Sequence, residues 1–504
     1  DRVPLAAEAG VKRVINGPMI WSPDSSALFG PVPELKNYFC CCGIIPGFSQ
    51  SGGLGLMSAQ WIVDGEPEYD MFPWDLARYG NWANKAFTKE RVRDQYGNRF
   101  KIHMPYEERD AGRPLKTRPV YEKQKELGCV FGLNYGWEHP LWFAPQGVEP
   151  KEDYGFKRQD WWHHVKTECD NLRTNVGIVD VSNFGKYEVK GQGASQWVDK
   201  IIANNVPKEI GRSCLTPLIG IRGGVAGDFT VTKLDDEHFF IVGSGMAERY
   251  HIRFFEMIER PNSVDFQSLT EEMCGFNVAG PKSRTLLSRM TQEDLSNENW
   301  KFMRSRSITI AGIDAIAIRV SFTGDLGWEI YVKTENQLKL YEALLETGAD
   351  LGVKPVGGRS LLSLRVEKGY GSWGREYSPE YWPQEVGLDR LIKLDKPSFL
   401  GKEAYLKIKD QKPREKLVVL EVNADRNADP AGGEPVFLRD GTPVGRVTSG
   451  AYGYTCDKSL AICMIKTDYA IDGNEFHVAV IGQNHDAVML KEAPFDPLGD
   501  RLRG

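Results

Sequence analysis

The feature that most narrows the fold is a change of texture at about residue 149. From there, short strand-like runs alternate with stretches at helical spacing. After about residue 405 the helical spacing stops. "VGIVDVSNFGKYEVKG" reads as two strands around a turn, with Tyr187 and Val189 on one face. "GASQWVDKIIANN" has helical spacing through Trp197, Ile201 and Ile202. "GDFTVTKLDDEHFFIVGSG" reads as a hairpin in which Phe229 and Val231 face one way and Asp228, Thr230 and Thr232 the other. Thr334 and Gln337 have the spacing of a capping box opening the helix in "ENQLKLYEALLETGADLG". The Lys-rich "YLKIKDQKPREK" reads as a linker. "KLVVLEV", "PVGRVTSGAY" and "EFHVAVIG" beyond it describe a small all-β domain.

A chain of 504 residues is too long for one core. Residues 1–68 alternate apolar runs with turns: "GPMIWSPDSSALFGPVPELKNYFCCCGII" reads as strand, turn, strand. A helix is expected after the glycines of "GGLGLMSAQWIVDGEP", stopping at Asp64-Gly65. Residues 69–148 are polar, Arg-rich and irregular, as expected of a connecting subdomain ending at the prolines and glycines of "YGWEHPLWFAPQGVEP". The expected organisation is α+β and multidomain, with units 1–68, 69–148, 149–405 and 406–504. The chain opens without Met, so either something was removed or this is a piece of a longer chain.

Composition excludes several classes. A net charge of −6 argues against nucleic acid or an anionic membrane as the main partner. No apolar stretch approaches the ~20 residues of a membrane span. Nine cysteines without CxxC pairing, and without His at zinc-like spacing, imply free thiols in a reducing compartment and no metal site. Cys40, Cys41 and Cys42 are adjacent, so on a strand they alternate faces and cannot jointly chelate one ion. "NYFCCCGII" has the apolar density of a buried strand, where Cys acts as a small hydrophobe.

Four stretches have residues suited to chemistry. The small residues of "GFSQSGGLG" let a backbone approach a bulky ligand, although a tight strand-to-helix turn needs the same residues. No GxGxxG or P-loop accompanies it. Asp228 in "GGVAGDFTV" stands at a hairpin mouth, placed to manage a developing cation or simply to bond the turn. Glu329 in "SFTGDLGWEI" follows Trp328 on a strand, where it suits an amino-pyrimidine edge or a cross-strand ion pair. Arg365 in "LLSLRVEKGYGSWGREY" suits a carboxylate, from either a ligand or a nearby acid. His163 and His164 lie among aromatics on an expected helix, where satisfied structural contacts are the reading.

In order, these stretches resemble the C-terminal part of the dimethylglycine and sarcosine dehydrogenase/oxidase family. "GPMIWSPDSSALFGPVPELKNYF", "GIIPGFSQSGGLG" and "WIVDGEP" resemble the end of its flavin domain, and "KAFTKERVRDQYGNRF" and "GWEHPLWFAP" its central domain. "GGVAGDFTV", "FNVAGPKSRTLL", "SFTGDLGWEI", "LRVEKGYGSWG" and "GRVTSGAY" resemble its folate-binding half, itself similar to the glycine cleavage T protein. The resemblance implies an end of an FAD-binding domain, a connecting domain, a folate-binding α+β domain and a C-terminal β-barrel. It also implies FAD, whose site is incomplete in this chain, and tetrahydrofolate.

By the same resemblance Ile45, Gly47, Gln50, Ser51, Gly52 and Gly53 lie against FAD. Asp228 is the essential acid beside the folate amine, Glu329 holds the pterin, Phe322 stands where a ring-stacking Tyr is usual, and Arg365 aligns less securely. Two positions depart from the pattern: Leu215, commonly Tyr, and Gly220, often Asn. Both departures remove hydrogen-bonding groups on the ligand side. The implied reaction oxidises an N-methyl amino acid and passes its one-carbon unit to tetrahydrofolate, with oxygen or an electron-transfer flavoprotein taking the electrons. The implied compartment is the cytoplasm in a bacterium or the mitochondrial matrix in a eukaryote. A non-catalytic subunit resembling the pyruvate dehydrogenase phosphatase regulatory subunit has the same architecture. A free-standing aminomethyltransferase would not need residues 1–148.

Overall fold

The computed structural model describes residues 4–424 and 428–504. Two sheets facing each other form its centre. One has five strands in the order Asp265–Ser268, Gly185–Lys190, His238–Gly243, Val225–Asp235, Ser213–Ile219. The other has six: Ser305–Ile310, Ile313–Ile318, Gly327–Lys333, Met273–Ala279, Val176–Asp180, Val353–Val356. Period-two alternation sorts their side chains into layers. Phe229, Val231, Phe239 and Ile241 face outward onto Trp197, Ile201, Phe254 and Phe255. On the other sheet Ile178, Val278 and Ile330 face outward onto Leu340, Tyr341 and Leu344. The inner faces meet in a third cluster that joins Phe240 and Val242 of one sheet to Val179, Val181 and Tyr331 of the other.

The two strands of "VGIVDVSNFGKYEVKG" are present, Val176–Asp180 and Gly185–Lys190, but each belongs to a different sheet. The turn between them is the crossing point from one sheet to the other. The helix "GASQWVDKI" runs Ala194–Ile201 as its spacing predicts. The capping box does not form. Thr334 donates to the carbonyl of Glu271 at 2.9 Å, while Gln337 bonds Ser182 Oγ at 3.0 Å and the Val120 N–H at 3.2 Å. Tertiary partners outcompete the local cap, and the helix Gln337–Thr347 is preceded by a 3-10 turn.

The end of the stretch read as an irregular connecting subdomain forms a hairpin, Cys129–Asn134/Trp137–Phe143. Its Val130, Leu141 and Trp142 instead share a core with Val165, Leu172 and Val356. The change of core therefore falls nearer residue 120 than residue 149. The Lys-rich stretch expected as a linker is in part the helix Lys402–Ile408, whose Tyr405 packs on Ile219 and Phe399. Strands from Glu415–Val422 to Gln483–Met489 then close a six-stranded barrel. Its Met464 faces out onto Val225, at the start of the Asp228 strand.

Residues before 80 form a smaller body. Leu28–Pro31 pairs with Phe39–Cys42, and the helix Gly47–Asp64 lies across them on Phe29, Leu54, Met57 and Trp61. "GPMIW" adds no strand. The helix stops at Gly65 as predicted, in a left-handed conformation (φ +84°) that glycine adopts without penalty. It starts earlier than predicted, so Gly47, Gly52 and Gly53 form its opening turns. The cysteine strand is not buried: Cys41 is exposed and Cys40 and Cys42 are half-buried, with sulfurs 3.4 Å apart on one face. A two-stranded ribbon has too little covering surface to enclose both faces. Asp75, fully buried, fastens this body to the five-stranded unit by accepting from Arg253 at 2.7 and 2.9 Å.

Candidate functional site

Asp228 and Glu329 are carried on different sheets, and both side chains project into the layer between them. Thr230 pairs with Val242 and Thr232 with Phe240, so Asp228 shares the inner face with these residues. Glu329 lies two residues from Tyr331, which meets Phe240 across the layer at 5.2 Å between ring centroids. Alternation along each strand thus turns both carboxylates toward the layer between the sheets.

Neither has a cation opposite it among the described residues. The one backbone N–H near the Asp228 carboxylate is its own, and burial raises its pKa to about 6. Part of the residue remains accessible, as for a group on a cavity wall. Glu329 accepts a hydrogen bond from Tyr331 Oη at 2.7 Å. Burial raises its pKa to about 7 against the lowering effect of that bond. Ionisable groups turned into the interior without ion partners are candidates for function.

Phe322 stacks on Tyr370, centroids 5.8 Å apart and planes 21° from parallel. Tyr377 lies near Asp228: burial, then the Asp228 charge, raises its phenol. Its ring runs against Gly371, where an added Cβ would stand 2.5 Å from it. Leu215 pairs with Thr230 and so shares the Asp228 face, but at 44 % exposed it presents only hydrocarbon there.

Of the two settings expected for Arg365, a ligand or a nearby acid, the structure shows the acid. Its guanidinium donates to Glu376 at 3.1 Å, Ser449 Oγ at 2.5 Å and the carbonyl of Tyr370 at 2.9 Å. All three partners are protein, and the pair is buried. In this arrangement Arg365 holds the backbone of the tyrosine that stacks on Phe322. His164, stacked on Trp142 at 5.3 Å, has the structural setting expected of it.

The candidate flavin contacts form no complete pocket. Added Cβ atoms on Gly47, Gly52 and Gly53 would meet nothing within 4 Å, and at 3.6 residues per turn the three point in different directions around the opening of the helix. Ile45 and Gln50 line a cleft of about 450 Å³ with Trp21, Trp74 and Arg99. An uncovered, glycine-rich helix opening leaves room for a bulky group, but the chain has no phosphate-binding glycine fingerprint to hold the rest of FAD. No group of three or more metal-ligating side chains occurs among the described residues.

Sequence reasoning missed Tyr331, Tyr377 and Glu66. Tyr331 was within reach, since a residue two positions along a strand shares the face of Glu329. Glu66 had no such signal. It approaches the Asp228 hairpin from 154 positions upstream of Gly220, and in sequence it only follows a helix stop.

Comparison with known proteins agrees with this layout. Residues 64–117 match the FAD dependent oxidoreductase central domain, 120–396 the GCVT N-terminal domain and 415–496 the glycine cleavage T-protein C-terminal barrel domain. The chain is 34% identical to mitochondrial dimethylglycine dehydrogenase of Rattus norvegicus, over 98% of this chain and 57% of that protein. It is 33% identical to 4-methylaminobutanoate oxidase (formaldehyde-forming) of Paenarthrobacter nicotinovorans, over 100% of this chain and 61% of that protein. It therefore spans about three-fifths of the length of these relatives. The fold is that of the glycine cleavage aminomethyltransferase T from Bartonella henselae, with a TM-score of 0.66 and 22% identity over 76% of this chain and 99% of that one. The chain belongs to the dimethylglycine and sarcosine dehydrogenase family and carries its central-domain and glycine cleavage T protein-like portions.

Proposed function

We propose that this chain is the folate-side part of a flavin-dependent enzyme that demethylates an N-methyl amino acid and passes the carbon to tetrahydrofolate, giving 5,10-methylenetetrahydrofolate. The observation that carries the reading is the pair of carboxylates without ion partners, Asp228 and Glu329, on facing sheets. Glu329 suits the amino-pyrimidine edge of a reduced pterin, to which a carboxylate makes paired hydrogen bonds. Phe322 and Tyr370 offer the ring a stacking face.

Asp228 acts beside the folate amine. When that nitrogen bonds to the electrophilic methylene carbon it becomes cationic, and Asp228 stabilises the charge and takes the proton. A carboxylate with a pKa near 6 is largely ionised at neutral pH and is still basic enough to hold that proton. The apolar layer around it excludes water, which would otherwise hydrolyse an iminium to formaldehyde and amine. Flavin supplies the oxidation that makes the electrophile, with residues 45–53 forming one side of its bed and an oxidase-type or flavoprotein acceptor taking the electrons. The compartment follows the host, bacterial cytoplasm or mitochondrial matrix. No helix among the described residues is long and apolar enough to cross a membrane.

The test is Asp228→Asn. Transfer of a methylene group to tetrahydrofolate should fall by roughly 10²–10⁴-fold, the usual range for a lost acid-base group, with thermal unfolding still cooperative. Wild-type transfer by the variant would remove Asp228 from this role.

A further inference from the structure

The space beside Gly220 is filled by a side chain from another part of the chain. A Cβ built on Gly220 would lie 2.9 Å from each carboxylate oxygen of Glu66 and 3.3 Å from its carboxyl carbon, and these are the three nearest atoms. Gly220 is not in the left-handed region, so its backbone tolerates a side chain, and the atoms that a Cβ would meet first all belong to Glu66. The carboxylate accepts the N–H of Arg222 at 3.1 Å and interacts with that of Ile221. Two successive N–H groups aimed at one anion form a turn nest. Arg222 in return reaches the carbonyl of Glu66 at 3.3 Å and the carboxylate of Asp64 at 3.6 Å. Gly65 is fitted as closely: a Cβ there would strike Ile221 Cδ1 at 2.8 Å.

This contact bears on Asp228. The turn closes with Gly220 donating to the Gly224 carbonyl and Gly223 to that of Gly220, both at 2.9 Å. Four residues beyond Gly224, about 13 Å along an extended strand, stands Asp228. The tip is also held from a second side. Val225 donates to the carbonyl of Tyr381 at 3.0 Å, and a Cβ on Gly224 would overlap the carbonyl of Pro379. Glu66 closes the side that a residue-220 side chain would otherwise occupy.

We infer that Glu66 is a positioning residue for the folate site: it caps the 220–224 turn in place of a side chain at residue 220 and so sets the strand that presents Asp228. This rests on the folate reading above. It also joins two parts of the molecule, because Glu66 directly follows the helix whose opening turns carry the candidate flavin contacts. Residues 66 and 220 therefore form a complementary pair in which one large and one absent side chain share a single volume.

The test uses 5-formyltetrahydrofolate as probe, with calorimetric binding and thermal unfolding measured on wild type, Glu66→Ala, Gly220→Asn and the double variant. Each single change should weaken binding by tenfold or more, the first by uncapping the turn and the second by colliding with the carboxylate. The double variant should recover most of the affinity, because the asparagine then has both room and free N–H groups. Recovery also answers the concern that a single variant merely misfolds. Binding should recover together with the pH dependence contributed by Asp228, which a purely structural repair would not restore. Wild-type affinity in Glu66→Ala, or a double variant no better than its parents, overturns the inference and leaves the folate reading standing. No binding by wild type overturns both.

Discussion

The region before about residue 102 and the two-sheet region differ in how they treat apolar surface. In the first, Val14, Ile15, Phe48, Ile62, Val63 and Phe100 are exposed, Phe48 completely, over a core of little more than Phe29, Leu54, Met57 and Trp61. In the second, the apolar side chains are enclosed in three continuous layers, and ionisable groups are drawn into the interior with them. Apolar side chains exposed in such number mark a surface suited to covering. The two-sheet region covers itself. On the function proposed above, the difference separates a self-contained candidate folate site from an open half-site for flavin.

The contrast can be broken most forcefully at the support of the self-contained site. Arg365→Gln should destabilise the chain by about 3–5 kcal/mol, because it leaves Glu376 buried without its cation. A denaturation midpoint near wild type would show that the pair is not holding the Tyr370 loop. Ligands should separate the two regions next. At a hundredfold excess over its dissociation constant, a reduced folate should add about 2.7 kcal/mol of stability. FAD at the same concentration should shift the unfolding temperature of this chain little, and an equal or larger FAD shift would erase the distinction.

Glu329→Gln should weaken reduced-folate binding by roughly 10–100-fold, the loss of charged hydrogen bonds worth about 1.5–3 kcal/mol. The same variant has a pH signature. The folded pKa of Glu329, about 7, is above the ordinary 4.5. Its stabilising contribution is therefore complete below pH 4.5 and is lost as pH rises through 7. Denaturation midpoints across that window should slope less in the variant. An unchanged slope would mean that Glu329 titrates normally. The smallest effect belongs to the open region: Phe48→Ser should change stability by no more than about 0.5 kcal/mol, as for a side chain without a packed environment. A loss above 1 kcal/mol would show that the helix face is already covered in solution.

How much was legible follows the range of each interaction. The alternation that puts Phe229 and Val231 on one face and Asp228 on the other is local, and the strand Val225–Asp235 shows it. Glu329 on a strand beside Trp328, and a β-rich end to the chain, were legible for the same reason. The Thr334–Gln337 cap failed because Glu271, Ser182 and Val120, all distant in sequence, offered better-placed partners. Arg365 read equally well as a ligand contact or an ion pair, and a neighbour eleven residues on, Glu376, occupied it.

The sequence alone determined the local periods, the helix stop at Gly65 and the inward parity of Asp228, since each depends on backbone geometry and residues a few positions apart. Only the tertiary structure decided that "VGIVDV" and "KYEVKG" part into separate sheets, that those sheets face each other, and that Glu66 fills the space above Gly220. These outcomes depend on which distant surfaces exclude water together and which buried polar groups find partners, and no local pattern encodes either.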